Sequence, residues 1–549
     1  MKLRKILAIL LALIFVMAPL AGCGSGDSGA PAAGDPGNPG SPGSTGSPGG
    51  AGGVDTPSGS ERSRVVNIGY GEKPRTLDPG NFRDQGSKTT IGMMYETLIY
   101  SPHDGSGYLP MLAHSWDIDP DGMYWIFYLR DDVYFHHGTK MTSVDVVASF
   151  QRQIDHRGEL EWLPLYLPDL EYVEAIDEYT VKIGFSNPVP LAGNAFRIGY
   201  IFPADAFEEF GEDLWHLQRC YGTGPWQMVE WIDGQYSHFK KFDNYWNRAN
   251  FDSYFDEVFI HHIQEPTSAV AAHLAGSLDA YTPAGGVDND LLSMYLGREH
   301  LTQFVDVGTN ANIYTFLQFG EGSIWHDERV RQAFSMSINR QSLIDNVLGR
   351  GELPRSFWHE GVIGFLDLGG YEYNPDRARQ LLAESDYDGR DIIMLSTRNL
   401  SRAEDICLVL AGFANAVGFN MVVQVEDAAV FSVRRDEADY DLYIHQGVFP
   451  DGLPGRHYNR IMGNTDRQDY ENEEMFHLIR TFNSEMDEGR RRVLSEEINR
   501  MITLNVAPQI TFMHLVSVYA VDYGVAGIAF YADGELDFSR VTWDPSMVP

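Results

Sequence analysis

The residues that could do chemistry in this sequence are scattered rather than grouped at catalytic spacing. The nearest approach to a metal site is His261-His262 with Glu265, which lies beside a strand-like run and has no third ligand at a recognisable spacing. The pair His136-His137 has the same weakness. For both pairs, ordinary hydrogen-bonded or surface histidines are the favoured interpretation.

Motifs of the common enzyme classes do not occur in the sequence. It has no HExxH zinc motif, no GxxxxGK[ST] phosphate loop and no GxGxxG after a strand. No residue has the sequence surroundings of a catalytic nucleophile. We therefore expect a binding protein without cofactor or metal, and we expect it not to be an enzyme.

Composition and charge exclude further classes. The 549 residues carry 41 Lys+Arg against 77 Asp+Glu, a formal net charge of −36. A polyanion repels phosphate backbones, so nucleic acid is excluded as a partner. With 43% hydrophobic and 12% aromatic residues the chain can build packed cores, and its length predicts two or three domains.

The first 22 residues are predicted to be a secretory signal peptide. Lys2, Arg4 and Lys5 precede an apolar run that ends at Leu20, which is shorter than the roughly 20 residues needed to span a bilayer. The segment ends in Leu20-Ala21-Gly22-Cys23, which resembles the lipobox of bacterial lipoproteins. This resemblance implies that Cys23 is lipidated and that the mature protein is anchored to the membrane, outside the cytoplasm.

Residues 23–60 are predicted to form the lipidated cysteine and a flexible linker. Of the 37 residues after Cys23, 26 are Gly, Ser or Pro, a composition that favours solvated coil. Such a chain reaches on the order of 35 Å. Beyond the linker only Cys220 and Cys407 remain, and we interpret them as two buried thiols because one pair makes no disulfide scaffold in so long a chain.

Turn and capping signals divide the rest of the chain into strands and helices. Pro120-Asp121-Gly122 is a sequence typical of a turn, and it lies between two strand-like runs. Thr142 and Asp145 have capping-box spacing, and Asn374 before Pro375 places a cap and a first-turn proline. Strands are predicted at 65–70, 116–118, 124–129, 179–185, 421–425, 440–445 and 509–516, and helices after 142, 327 and 374, at 403–417 and within 470–503. The second half therefore indicates a layered α/β lobe.

Short motifs follow one another in a fixed order through residues 61–549. They are Thr76-Leu77-Asp78-Pro79, Tyr95-Glu96-Thr97-Leu98, Leu129–Gly138, Gly222-Thr223-Gly224-Pro225-Trp226, Asp243–Trp246, Arg329–Ala333 and Asn374–Leu382. Their order and spacing resemble those of the extracellular solute-binding proteins of family 5, the peptide- and nickel-type receptors of ABC importers. We read Trp226 as a structural residue.

The resemblance implies an α/β, two-lobed periplasmic-binding-protein-like fold with a hinge and an additional inserted domain. We name its parts by their predicted bounds. The discontinuous lobe is 61–98, 192–307 and 519–549, the inserted domain is 99–191, and the hinged lobe is 308–518. Cys220 and Cys407 then lie in different lobes, where a bond between them would obstruct closure.

The resemblance also implies a ligand site. In family peptide receptors an acidic residue after a strand of the hinged lobe binds the amino terminus of the peptide, and a buried ammonium needs such a partner. Asp451 takes this position within Gly447–Pro454, with Phe449 beside it, while Val448 and Gly452 replace the family's aromatic residues. A plain turn residue before Gly452 is the alternative for Asp451.

Three further residues complete the predicted site by the same resemblance. Tyr314 lies in the strand that resembles the start of the hinged lobe, and Trp358 lies in a loop of the kind that faces the cleft. Gln85 belongs to the loop Gly80–Gly86, which borders the cleft after the TLDP motif. Ordinary packing or a solvated loop is the alternative for each.

The resemblance predicts a monomeric, lipid-anchored receptor that passes oligopeptides or dipeptides to the permease of an ABC importer. The ligand shifts the lobes towards closure through the contacts that it gains there. One alternative keeps the fold and changes the solute to a nickel chelate, an oligosaccharide or another small molecule. Others are a peptide-sensing or chaperone-like lipoprotein and an extracellular hydrolase.

Overall fold

The computed structural model describes most of the chain that follows the predicted linker. The described residues are 63–82, 84–100, 108–160, 167–189, 192–283, 286–287, 289–297, 300–360, 362–400, 402–448, 454–463, 469–530 and 536–548. The predicted signal peptide, the linker and Cys23 lie outside them. Among the described residues, no helix combines the length and the apolar character that crossing a membrane requires.

The strands are numbered in chain order. They are β1 (Val65–Tyr70), β2 (Ile99–Tyr100), β3 (Leu109–Pro110), β4 (Ala113–Ile118), β5 (Tyr124–Leu129), β6 (Leu170–Asp177), β7 (Thr180–Phe185), β8 (Trp226–Ile232), β9 (Tyr236–Lys241), β10 (Glu257–His262), β11 (Ala280–Tyr281), β12 (Thr302–Leu317), β13 (Asp391–Thr397), β14 (Asn420–Glu426), β15 (Leu442–Val448), β16 (Gln509–Asp522), β17 (Val525–Ala526), β18 (Ala529–Phe530), β19 (Leu536–Asp537) and β20 (Thr542–Trp543).

The helices are numbered in the same way. They are α1 (Gln85–Gly92), α2 (Ser143–Asp155), α3 (Ala192–Phe196), α4 (Ala204–Phe210), α5 (Asp213–His216), α6 (Pro266–Leu274), α7 (Asn289–Leu292), α8 (Glu328–Ser337), α9 (Arg340–Leu343), α10 (Pro375–Glu384), α11 (Ala403–Asn415), α12 (Ala428–Asp436), α13 (Gly455–Met462), α14 (Glu473–Ser484) and α15 (Glu488–Asn505). A π-helical turn, Ile344–Leu348, continues α9, and 3₁₀ turns form at Ser293–Tyr295, Ile324–His326 and Pro545–Met547.

One sheet runs through both halves of the molecule. Among the described residues ten strands form it, in the order β14-β13-β15-β12-β16-β11-β1-β10-β9-β8. The two central strands, β12 and β16, are 16 and 14 residues long and pair with each other along most of their length. They are the two connections that join the strands on one side of the sheet to those on the other. The two-lobed α/β architecture is therefore confirmed.

A second sheet, β4-β5-β7-β6, falls within the segment predicted to be an inserted domain. It packs with α2 over a hydrophobic core that extends from Leu98 to Ile201. Separate cores fill the rest of the discontinuous lobe and the hinged lobe. The exact domain bounds stay predictions.

Local capping signals place the helices where the sequence analysis expects them. Thr142 and Asp145 form the reciprocal capping box at the start of α2. Asp327 caps α8, and Asn374 caps α10 ahead of Pro375. Several strands extend beyond their predicted bounds, among them β4, which begins at Ala113, and β16, which continues beyond residue 516 to cross between the two lobes.

The two cysteines outside the linker are free and buried. Cys220 belongs to the core of the discontinuous lobe and Cys407 to that of the hinged lobe. Burial raises the pKa of each thiol to about 12, so both stay protonated and unreactive near neutral pH. The prediction of two buried thiols is confirmed.

Candidate functional site

The strands β12 and β16 change register at the boundary between the lobes. Gly308 pairs with Val516, but the next pair joins Asn312 to His514. Three residues of β12 therefore face the single residue Leu515 of β16. A break of this kind bends a strand pair and interrupts its ladder of hydrogen bonds. It marks the position of a hinge between the lobes.

The parallel strands of the discontinuous lobe all point towards this hinge. β11 runs antiparallel to β16, with Ala280 opposite Val521 and Tyr281 opposite Ala520, so it advances towards Val516. β1 is parallel to both β11 and β10. The carboxyl ends of β1, β10 and β11 consequently lie on the side of the sheet that faces the hinge.

The parallel strands of the hinged lobe point to the same place from the opposite direction. β15 runs antiparallel to β12, starting with Leu442 opposite Leu317 and ending with Val448 opposite Ala311. β13 is parallel to β15. Carboxyl ends from both lobes thus converge at the hinge, and in open α/β sheets ligands bind outside the carboxyl ends of the strands.

Gln85 lies on the discontinuous-lobe side of this cleft. It is the first residue of α1, which follows β1, and Asp84 caps the helix by accepting a hydrogen bond from Ser87 N at 2.7 Å. Gln85 is half-buried, and its Oε1 atom has no hydrogen-bond partner among the described residues. A buried acceptor of this kind is available to a ligand or to water.

Phe449 and Asp451 lie outside the described residues. The structure places the two ends of their segment: Val448 ends β15 beside hinge residue Ala311, and Pro454 precedes α13. The carboxyl end of β15, at Val448, therefore lies at the hinge.

Tyr314 and Trp358 lie together in the core of the hinged lobe. Both are fully buried, and the ring of His457 contacts both, with centroids 5.8 Å from Tyr314 and 5.3 Å from Trp358. The Trp358 indole N–H donates a hydrogen bond to Tyr458 Oη at 2.9 Å. In this conformation neither side chain offers surface to a solute, and the ligand-binding role of both stays a prediction. Gln85 belongs to the other lobe.

A cavity of about 360 Å³ lies along α1. Lys88, Thr89 and Gly92 line it, three, four and seven residues after Gln85 and thus on the same helix face. Its described walls come from the discontinuous lobe and from β2 and β3. Its volume is within the range of small-molecule sites.

Charged side chains surround this cavity. The lining includes the bases Lys88, Arg197 and Arg540 and the acids Glu96 and Asp537. The sequence analysis missed all five. A signal for one of them was available, because Lys88 follows Gln85 by three residues and must share its helix face.

Two motifs distant in sequence converge on the carboxylate of Glu96, which belongs to a third. Tyr245 Oη donates to Oε1 at 2.9 Å, while Trp246 Nε1 and Thr223 Oγ1 donate to Oε2 at 2.8 and 2.9 Å. Burial raises the pKa of Glu96 to about 7 against the opposing effect of these donors. Trp226, from the same motif as Thr223, is fully buried, as a structural role requires.

The histidine pair His261-His262, considered as a metal site, forms hydrogen bonds within the protein. His261 Nε2 lies 2.9 Å from Asn67 Oδ1, and His262 contacts Ser237 Oγ at 3.0 Å. Glu265 caps α6. The hydrogen-bonded interpretation of this pair is confirmed, and the described part of the chain contains no group of three metal-ligating side chains.

The lobes also touch away from the hinge. A Cβ atom added to Gly122, in the turn between β4 and β5, would lie 2.9 Å from Met486 Sδ. Met486 precedes α15 in the hinged lobe. The inserted domain and the hinged lobe are therefore in van der Waals contact in this conformation.

Sequence comparison matches residues 107–469 to a family model described as bacterial extracellular solute-binding proteins, family 5 Middle. The probable D,D-dipeptide-binding periplasmic protein DdpA of Escherichia coli is 27% identical over 454 residues, covering 78% of this chain and 84% of that protein. The nickel-binding periplasmic protein of Escherichia coli is 27% identical over 317 residues, covering 55% and 57%. The Haemophilus influenzae oligopeptide-binding protein OppA is matched over 58% of its length. The similarity to the nickel-binding protein and to OppA thus spans little more than half of each relative's length.

Solved structures share the fold. HbpA2 from Haemophilus parasuis superposes with a TM-score of 0.78 at 21% identity, covering 87% of this chain and all of that one. The oligopeptide-binding protein AppA from Bacillus subtilis, in complex with a nonapeptide, superposes with a TM-score of 0.64 at 19% identity, covering 87% and 99%. At these identities the likeness concerns the fold alone.

Proposed function

Because the chain belongs to the bacterial extracellular solute-binding proteins of family 5, we propose that it captures a peptide or another small solute for an ABC importer. The protein holds the solute between its lobes and releases it unchanged to the permease. Lipidated Cys23 and the linker tether it, as a monomer, to the outer face of the membrane.

The convergence of strand ends at the hinge is the observation that supports this proposal most strongly. A solute in the cleft contacts loops of both lobes, so it stabilises the closed arrangement more than the open one. The contact between Gly122 and Met486 adds a second meeting point for the lobes. A binding protein needs only this differential contact and no reactive group.

The solute is proposed to lie in the cleft at the hinge, in contact with Gln85 of the discontinuous lobe and with Phe449 and Asp451 of the hinged lobe. Peptides suit such a cleft, since their backbone bonds with loops and strand edges while side chains enter pockets. In this arrangement Asp451 pairs with the peptide ammonium. The relatives are described as binding dipeptides, oligopeptides, nickel and heme. They do not decide which of these classes the solute of this chain belongs to.

Identification of the bound solute tests the proposal. Full-length protein purified in mild detergent is denatured, and the released small molecules are analysed by mass spectrometry. We expect peptides in stoichiometric amount, recovered intact after prolonged incubation with fresh protein. A nickel chelate or an oligosaccharide would replace the peptide assignment, and cleavage of added peptide would contradict a pure binding function.

Replacing Asp451 by alanine is expected to weaken peptide affinity by at least about 30-fold. The reason is that removing one partner of a buried, hydrogen-bonded charge pair costs about 2–5 kcal/mol. Isothermal titration with a tripeptide found in the released pool measures the change. Asp451→Asn keeps the shape and should lose nearly as much, because the charge is what the ammonium requires.

Asp376→Ala is the matched control for this experiment. The Asp376 side chain is 88% exposed on α10, far in sequence from the proposed site, and its loss should leave affinity unchanged. Unaffected tight binding in the Asp451→Ala variant would remove the anchoring role and favour the turn-residue interpretation.

Cys23→Ser is expected to abolish the attachment of fatty acid to the protein. Without the Cys23 thiol there is no sulfur to acylate. Metabolic labelling with palmitate of cells that express either form measures the change, and only the wild-type protein should carry the label. Absence of label from the wild-type protein would disprove the lipid anchor.

A further inference from the structure

The turn between β4 and β5 is covered by the hinged lobe. Pro120 and Asp121 are exposed, as turn residues usually are, but Gly122 is buried. Gly122 has a φ of +70°, which favours a residue without a side chain. A Cβ atom added there would lie 2.9 Å from Met486 Sδ and 3.6 Å from Pro188 Cβ. The end of the inserted domain and the start of α15 are therefore packed against each other.

Tyr108 lies near the same part of the hinged lobe. Its ring packs against Trp125 within the inserted domain, with 5.8 Å between the centroids. Burial raises the pKa of Tyr108 to about 12, and the charges of Arg491 and Glu488, both on α15, act on this pKa in opposite directions. The inserted domain thus approaches α15 at Tyr108 as well as at Gly122.

The main chain at Met486 is held by α15. Arg491 is almost fully buried, and its Nη1 atom donates to Glu485 O at 2.8 Å and to Met486 O at 3.1 Å. Met486 is therefore attached to the hinged lobe and moves with it. Separation of the lobes must break the contact between Met486 and Gly122.

The start of α15 projects past the hinge. Asn499, in the second half of α15, donates to Ser356 Oγ at 3.0 Å, and Ser356 O lies 3.3 Å from His514 Nε2. This part of α15 is therefore level with His514, where the register of β12 and β16 changes. Glu488 begins the helix, on the order of 16 Å before Asn499 at a rise of about 1.5 Å per residue. Since α15 runs on to Gln509, at the end of β16 remote from the hinge, its start points to the other lobe.

The helix α13 lies on the same face of the sheet as α15. It begins at Gly455, soon after Asp451 in the chain, and its Tyr458 Oη lies 2.7 Å from Ser495 Oγ of α15. The proposed solute cleft, which Asp451 borders, is therefore on the side of the molecule that carries α15. Closure of the lobes over a solute there brings the inserted domain and the start of α15 together.

We propose that the contact between Gly122 and Met486 forms when the lobes close and stabilises the closed arrangement, so that the inserted domain raises solute affinity without touching the solute. The inference rests on the proposed function, because closure is what retains the solute. The apparent dissociation constant of a solute is inversely proportional to the populated fraction of the competent state. Loss of the contact therefore weakens the binding of every solute by the same factor.

Met486→Ala tests the contact through the distance between the lobes. Met486 is half-buried and is not part of the core of the hinged lobe, so its truncation should leave the fold intact. Ketone-bearing amino acids at the exposed positions of Glu171, in β6, and Asp376, in α10, carry spin labels on the full-length protein. Pulsed electron paramagnetic resonance then gives the populations of short and long distances.

We expect the ratio of short to long distances to fall at least about threefold in Met486→Ala. Met486→Leu keeps an apolar side chain at the contact and should keep the wild-type ratio. Leu408→Ala is the control, because Leu408 is an apolar residue of the hinged lobe that is 61% exposed on α11. Identical distance distributions in Met486→Ala and the wild-type protein would overturn the inference.

Titration with the peptides Ala-Ala-Ala and Leu-Gly-Leu tests the effect on affinity. Both should bind Met486→Ala at least about threefold more weakly than the wild-type protein, and by the same factor. Weaker binding of one peptide alone would show that Met486 touches the solute, and tighter binding of both would assign the contact to the open arrangement; either result would overturn the inference. If neither peptide binds the wild-type protein, the peptide assignment fails, and the distance measurement alone decides whether the contact holds the lobes together.

Discussion

Replacing Arg152 by alanine is expected to lower the free energy of unfolding by about 3–5 kcal/mol, because it leaves a buried carboxylate without its partner. Arg152 lies on α2 and is almost fully buried. Its guanidinium donates to both oxygens of Asp78 at 2.9 and 2.6 Å and to both oxygens of Glu212 at 3.0 and 2.6 Å. It also lies over the ring of Trp215, 4.6 Å from the centroid.

The same substitution should weaken solute binding. Asp78 Oδ1 accepts from Gly80 N at 2.8 Å, so the ion pair also shapes the loop that leads to Gln85 and α1. Without Arg152 that loop loses its support from α2, and the cavity wall loses its position. Urea unfolding gives the change in stability, and titration at temperatures where the variant is folded gives the change in affinity.

Arg379→Ala is the matched control for stability. Arg379 pairs with Asp376 on the exposed face of α10, with half of its side chain in solvent. Exposed pairs of this kind contribute about 0–1 kcal/mol. If Arg152→Ala cost no more than Arg379→Ala, the buried ion pair would have no role in joining α2 to the TLDP segment.

The local elements of the fold could be predicted because their signals are short. Thr142 and Asp145 satisfy free N–H groups at a helix start within four residues, and Asn374 does the same by accepting from Arg377 N. Such signals are complete in the sequence itself. They need no knowledge of what the helix packs against.

The buried polar contacts could not be predicted, because their partners are far apart in sequence. Arg152 and Asp78 are 74 residues apart, and Tyr245 and Glu96 are 149 apart. The motifs that contain Asp78, Glu96 and Tyr245 were recognised from the sequence. A motif does not show, however, which residue of another motif it contacts, such as Tyr245 donating to Glu96. Only the packing of the discontinuous lobe brings them together.

The ligand-binding residues named from the sequence stay predictions. Gln85 begins the helix that lines the cavity, and residues 449 and 451 follow the strand whose end lies at the hinge. Tyr314 and Trp358 are completely buried, which aromatic type and loop position do not reveal, since strand alternation gives the face of a residue but not its depth. The basic lining was missed because Arg197 and Arg540 come from segments 343 residues apart.

Lowering the pH from 7 to 5 is expected to destabilise the fold by roughly 5 kcal/mol, mainly through four buried histidines. Burial lowers the pKa of His136 and His262 to about 4 and the pKa of His457 and His514 to about 3. Histidine in an unfolded chain titrates near 6.5. The unfolded chain therefore binds more protons than the folded one below that pH, so stability is lost as the pH falls, by about 2 kcal/mol for each histidine at pH 5.

The hydrogen bonds of these histidines fit the neutral ring. His262 Nδ1 donates to Glu72 O, while Nε2 accepts from the Ser237 hydroxyl at 3.0 Å. His457 Nε2 lies 2.7 Å from Gln509 Oε1. Ser237 Oγ and Glu72 O can both accept from a doubly protonated His262 ring, so burial is what disfavours the charged form of these histidines.

Glu96 acts in the opposite direction. Its pKa is raised to about 7 in the folded protein, above the value near 4.3 for an unfolded chain, so the folded state binds the extra proton as the pH falls from 7 to 5. That binding stabilises the fold by about 2 kcal/mol at pH 5 and partly offsets the histidines. Glu96→Gln should therefore make the loss of stability in acid steeper.

Urea unfolding at pH 7, 6 and 5 measures the effect. His457→Gln and His514→Gln should each remove about one proton from the slope of stability against pH. Gln341→Ala is the control, because this exposed side chain does not titrate and its loss should keep the wild-type slope. Stability that is constant or higher at pH 5 would show that these rings accept protons in place, and the neutral hydrogen-bonding scheme would then be wrong.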